Sequence, residues 1–149
     1  MKTKLIPALS AALILAACAG EPDVPKGPVS EARTTAFKAM MPNFSSMGKM
    51  VNGDEVYNVE TFKTAAAAFA QESKKPFEHF HKDEQGDGDT LPVTWENPDA
   101  FKAEQEKFHA AVDELNEQAQ TGNLEAVKTA YNNVGASCKS CHDTFRRPK

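Results

Sequence analysis

Cysteine is almost absent from this 149-residue chain: Cys18 lies near the N-terminus, and Cys138 and Cys141 near the other end. A structural zinc site takes about four ligands, which two neighbouring thiols do not supply. No segment alternates polar and apolar residues as a strand would, so nothing competes with a helical reading. A basic stripe is also missing and the formal charge is −4, which argues against a nucleic-acid partner. The apolar fraction, 40%, is modest. The longest apolar run, Leu5 to Leu15 with Pro7 and Ser10 inside it, is too short to span a bilayer as a permanent helix. These absences leave one small helical domain with an exported beginning.

Lys2 and Lys4 followed by that apolar run read as an export signal covering residues 1–17. The run ends in Leu15-Ala16-Ala17-Cys18, which resembles a bacterial lipobox and makes Cys18 the expected lipidated N-terminus of the mature chain. Ordinary signal-peptidase cleavage is the alternative, since Ala17-Cys18-Ala19 also fits a small-x-small rule. Loss of Lys2 and Lys4 with the signal takes the charge from −4 to −6. Residues 18–29, rich in proline and glycine, read as a flexible tether, and residues 30–149 as the folded domain.

Four helices follow. Ser30 is the expected N-cap of the first, whose inner stripe is Ala36/Phe37, Met40/Met41, Phe44, Met47 and Val51, with a bend at Pro42 and an end at Asn52-Gly53-Asp54. The second starts after Asn58 and buries Phe62, Ala65, Ala66, Phe69 and Ala70 before Pro76 stops it. Residues 76–96 form a long irregular connection of the kind that usually covers something. The third opens with Asn97 as N-cap and Pro98 at the first helical position, and carries Phe101, Phe108, Val112, Leu115 and Ala119. The fourth follows Thr121-Gly122-Asn123 and turns Leu124, Val127, Tyr131, Val134, Cys138 and Phe145 inward. Such helices with short connections predict an all-α, antiparallel up-down-up-down four-helix bundle.

The chemistry sits in Cys138-Lys139-Ser140-Cys141-His142. C-x-x-C-H is the attachment signature of c-type haem. On a helix the two thiols share a face one turn apart, and each can add to one vinyl group of a single porphyrin. His142 follows directly and can ligate the iron. A redox-active thiol pair is the other bland reading, but that pair belongs at a helix start after a strand. One covalent haem c per chain is therefore expected, and haem attachment outside the inner membrane agrees with the export signal.

The bundle topology puts the end of the fourth helix level with the start of the first. The haem is expected to face Arg33, Phe37, Met40 and Met41, walled by Phe69, Phe77, Phe80 and Phe101, with Trp95 over its edge. Met47, Met50 and His109 lie too far along the bundle to reach the iron. His79 and His81 belong to the connection. Met40 and Met41 are the candidates for a sixth ligand, yet methionine at helical spacing is more often core filler. The expected arrangement leaves no protein ligand opposite His142, with Phe37 over the iron.

Val134-Gly135-Ala136-Ser137-Cys138-Lys139-Ser140-Cys141-His142-Asp143-Thr144-Phe145-Arg146, the series Arg33, Phe37, Met40, Phe44, Met47, and Trp95 ahead of Phe101 together resemble cytochrome c′, the class II c-type cytochromes. The resemblance runs from Glu31 to Arg147. It implies thioether bonds at Cys138 and Cys141, proximal ligation by His142, a propionate contact at Arg33, an arginine beside the proximal histidine at Arg146, and Phe37 as the bulky distal residue. It also implies a homodimer through the first two helices. Six-coordinate relatives carry methionine near this first-helix position; this chain has phenylalanine at 37 itself, and a register shift at Pro42 would keep Met40 or Met41 as the ligand.

Two functions follow: capture of nitric oxide or carbon monoxide at an open iron position, or one-electron transfer to a periplasmic partner, with Met40 or Met41 as sixth ligand if the iron is six-coordinate. Neither is enzymatic. A peroxidase would need an acid–base histidine over the iron. The expected location is the periplasmic side, with membrane contact only through a lipid anchor at Cys18.

Overall fold

The structure, a computed structural model, describes residues 24–148. Four long helices make the bundle: α1 (Pro28–Asn52), α2 (Val59–Glu72), α3 (Pro98–Thr121) and α4 (Leu124–Phe145). Helix α1 packs along α2, α2 against α3, α3 along α4, and α4 back against α1, which closes an up-down-up-down ring. The predicted starts of three helices coincide with asparagine caps. Asn58 Oδ1 accepts from the Thr61 amide, Asn97 Oδ1 from Ala100, and Asn123 Oδ1 from both Glu125 and Ala126, each satisfying amides that the first turn leaves free.

Helix α1 begins earlier than the sequence predicts. Pro28 occupies its first turn and Gly27 is the N-cap, with no side-chain cap. Ser30 is instead a buried residue of the first turn. Its hydroxyl donates to the Gly27 carbonyl at 3.0 Å and its amide donates to Asp83 at 2.9 Å. Asp83 thus does from the connection what a local cap would have done. The expected tether is also shorter than residues 18–29. Pro25, Lys26 and Gly27 pair with the connection: Gly27 N donates to Gly86 O at 2.8 Å, Gly88 N donates to Pro25 O at 3.0 Å, and Lys26 bridges Asp87. Gly86 and Gly88 hold φ of +135° and +61°, and a Cβ on Gly86 would strike the Pro25 carbonyl, so glycine is needed there. The signal at 1–17, Cys18 and the rest of the tether lie outside the described residues.

The core is filled by Met47, Phe62, Ala66, Phe69, Val112, Leu115, Ala119, Val127 and Val134, all nearly inaccessible. Met40 and Met50 are buried as well. Met41 is not: it is 46% exposed. Met40 and Met41 are adjacent on a helix and lie about 100° apart around the axis, so only one can face the core. Gly48 is buried where α1 meets α4, and a Cβ there would run into the Tyr131 phenol. That gap lets Tyr131 stack on Phe44, ring centroids 4.3 Å apart, and donate its hydroxyl to the Phe44 carbonyl.

The connection between α2 and α3 is more ordered than its composition suggests. It contains a 3₁₀ turn over Lys75–His79 and one helical turn over Val93–Glu96. Between them, residues 83–91 bind both ends of the folded chain. Besides holding Lys26–Gly27, this stretch takes the end of α4: Leu91 N donates to Phe145 O and Arg147 N to Asp89 O.

Candidate haem-attachment site

Cys138, Cys141 and His142 occupy the last two turns of α4. Both cysteines are free thiols of intermediate burial, and Cys138 packs against the core. Burial raises the Cys138 thiol pKa, and burial with the nearby Glu104 carboxylate pushes that of Cys141 up to about 11. Both are therefore neutral thiols at pH 7, the opposite of the acidic, helix-start thiol that drives disulfide exchange. Their place near a helix C-terminus adds to this, since the dipole there disfavours a thiolate. Desolvation lowers the His142 pKa, helped by Arg146 and opposed by Asp143, so the ring is a neutral nitrogen donor. Two neutral thiols one turn apart with an adjoining neutral imidazole fit a porphyrin carrying two vinyl groups and an iron. Among the described residues no group of three or more His, Cys, Asp and Glu side chains is placed to hold a bare metal ion.

A chain of aromatic rings leads away from this turn. Phe145, three residues after His142, meets Phe101 edge-on at 5.3 Å. Phe101 lies 4.5 Å from Phe80 and 6.2 Å from Phe77, and both of these meet Phe37 of α1 edge-on at about 6 Å. Trp95 closes on Phe80 at 6.5 Å. Edge-to-face contacts at these separations are the favoured aromatic geometry. Phe37, Phe77, Phe80, Phe101 and Trp95 are thus brought together at one end of the bundle, as expected. Phe69 is set one layer deeper, against Phe44 at 5.2 Å and Phe108 at 6.5 Å. It lines the core behind the cluster instead of the cluster itself. Met41, exposed on the outer side of α1, is turned away from it.

Arg33 is the most heavily used polar side chain in this region. It is 4% exposed. Its Nε donates to the His79 carbonyl at 3.1 Å, Nη2 to the His81 carbonyl at 3.2 Å, and Nη1 to the Thr90 hydroxyl. Asp87 stands 3.9 Å away, and the guanidinium carbon lies 4.7 Å from the Phe80 ring centre and 5.5 Å from that of Trp95. Burial lowers its pKa, and Asp87 and Asp83 offset this only in part. The family resemblance implies only a cofactor contact for Arg33. The structure also makes it the staple that holds residues 79–90 on α1, with His79 and His81 serving through their carbonyls. Arg33→Met keeps the stem and removes the charge, leaving the His79 and His81 carbonyls without this donor and Asp87 without its neighbouring cation. It is expected to lower folding stability by about 3 kcal/mol, read by urea denaturation of the haem-loaded protein.

Arg146 lies directly beyond α4. It bridges Thr90 through its backbone and stands 3.7 Å from Asp89. Its side chain is therefore oriented towards the same connection that Arg33 staples. Two features were not singled out in the sequence. One is the fit of Tyr131 into Gly48. The other is Glu104 of α3, which accepts from Ser140 Oγ within the attachment turn at 2.8 Å. The pattern could have marked the second: Glu104 stands three residues after Phe101 and four before Phe108, a charged group on a buried stripe.

Comparison with known proteins places this geometry. The sequence model described as Cytochrome C' matches residues 29–146. A curated cytochrome c' of Alcaligenes xylosoxydans xylosoxydans is 32% identical over 117 residues, spanning 78% of this chain and 91% of the relative. The crystal structure of cytochrome c' from Rubrivivax gelatinosus superposes with a TM-score of 0.76 at 30% identity, covering 83% of this chain and 98% of that one. A nitric oxide complex of a cytochrome c prime mutant from Alcaligenes xylosoxidans superposes with a TM-score of 0.77 at 30% identity, covering 81% and 94%.

Proposed function

The chain belongs to the cytochrome c′ family, and from that premise we propose that it is an exported haem protein that captures nitric oxide or carbon monoxide and carries one electron for a periplasmic partner. Bound haem c, held covalently, supplies an iron that takes up a small diatomic gas and changes oxidation state by one electron. Cys138 and Cys141 are its thioether sites and neutral His142 is the proximal ligand. The opposite side carries no protein ligand and is covered by Phe37. The observation that supports this best is the unbroken ring system from Phe145 to Phe37, which ends on α1 in a side chain that cannot ligate iron.

An apolar lid of this kind favours neutral diatomics over water and anions, and it offers no hydrogen-bond donor to reward dioxygen. Arg33 uses three of its five donors on the connection; the other two would serve a haem propionate. Arg146 stands guard on the proximal side. The protein is a binder and carrier, not an enzyme. Residues 1–17 are its signal, Cys18 its lipid anchor on the periplasmic face of the membrane, and the bundle pairs as a homodimer. Among the described residues no helix is long and apolar enough to cross a membrane.

Met40 supports a second reading, six-coordinate and devoted to electron transfer. It is 4% exposed and lies three residues after Phe37 on the inner side of α1. The optical spectrum of the ferrous protein with and without carbon monoxide decides between them. A five-coordinate high-spin spectrum that changes on adding the gas is expected. A low-spin spectrum indifferent to the gas would assign Met40 to the iron.

A further inference from the structure

We propose that Glu104 is a fixed negative charge that lowers the reduction potential of the haem, and that Ser140, a spacer residue of the C-x-x-C-H motif, holds it in place. Glu104 occupies the inner stripe of α3 between buried Phe101 and Phe108, and its side chain is only 15% exposed. One carboxylate oxygen accepts from Ser140 Oγ at 2.8 Å and the other receives Lys107 Nζ at 2.6 Å. The carboxylate is thereby tied to the very turn that carries both thiols. Those bonds hold its pKa below the ordinary glutamate value, so it is ionised at neutral pH.

A negative charge so placed acts on anything attached to Cys141. It stabilises the ferric state, which carries one more positive charge, relative to the ferrous. Lys107 offsets this only in part, because its side chain is 68% exposed and its charge is shared with water. The glutamate serves no caps and fills no core volume that a neutral residue could not fill. The inference rests on Cys141 as a haem attachment point.

The alternative is that Glu104 is only a brace between α3 and α4, and Glu104→Gln separates the two. Glutamine keeps an oxygen to accept from Ser140 and loses the charge. Redox titration followed optically, on exported haem-loaded protein, is expected to show the ferric–ferrous equilibrium of Glu104→Gln displaced about three- to tenfold towards ferrous, tenfold being about 59 mV for one electron. Ser140→Ala, which frees the carboxylate to swing towards solvent, should move it the same way by less. A potential for Glu104→Gln equal to that of the parent protein would overturn the proposal and leave the brace. A colourless parent preparation would instead overturn the attachment at Cys141, and the two failures are thus distinct.

Discussion

Replacing Cys138 and Cys141 together with alanine is expected to leave the exported chain with no haem that survives denaturing electrophoresis and haem staining. The parent chain keeps one haem through the same treatment. Single replacements retain haem through the remaining thioether, with a shifted absorption spectrum, because each thiol reacts with its own vinyl group. His142→Ala should keep the stain, since both thioethers remain, while the visible spectrum changes with the loss of the nitrogen donor. This pattern separates haem from the zinc and redox-pair readings. Zinc at these thiols would give a colourless protein that loses metal with either cysteine. A redox pair would give a colourless protein whose thiols change with potential. The burial that raises both thiol pKa values makes exchange chemistry the poorest of the three.

The sequence carried the attachment turn almost completely, because its information is local. C-x-x-C-H needs only helical spacing to place two thiols on one face with the imidazole beside them. The three asparagine caps at 58, 97 and 123 were equally local and were found where expected. Longer-range matters were harder to read. Arg33 spends its donors on backbone carbonyls of residues 79 and 81, which have no side-chain signature. The cap of α1 comes from Asp83, 53 residues away. The docking of Pro25–Gly27 depends on Gly86 and Gly88 reaching positive φ, which composition alone presents as looseness. Met41 was drawn inward by a stripe read two residues wide, where the packing had room for Met40 alone.

Taken together, residues 79–91 act as a clasp. They bind the start of α1 through Gly86 and Asp83, its second turn through Arg33, and the end of α4 through Asp89 and Leu91. On the function proposed above, the start of α1 and the end of α4 carry the distal and proximal sides of the haem. Their separation is therefore set by a structure outside the bundle proper, which carries the ring of Phe80 and is flanked by those of Phe77 and Trp95. A cofactor site at the end of a bundle needs such a device, since helix ends are where local opening starts.

Phe37→Ala is expected to raise the carbon monoxide association rate of the ferrous protein by about tenfold, equivalent to about 1.4 kcal/mol off the barrier. Phe37 is half-buried, its ring meets Phe77 and Phe80 among the aromatics, and it packs on the edge of the core, so its truncation removes contacts at the rim and leaves fully buried Met47 and Phe62 in place. The cost to stability should fall at or below the low end of the range for aromatic truncation, about 3 kcal/mol. Phe37→Leu is the control: a shorter, still apolar side chain should raise the rate by less and cost little stability. The two effects separate by flash photolysis on one side and thermal unfolding on the other. A rate unchanged in Phe37→Ala, with stability lowered as described, would make Phe37 a packing residue only. The lid would then have to be sought in Met40, the next apolar side chain on the same face of α1, and Met40→Ala would be the variant that opens the iron.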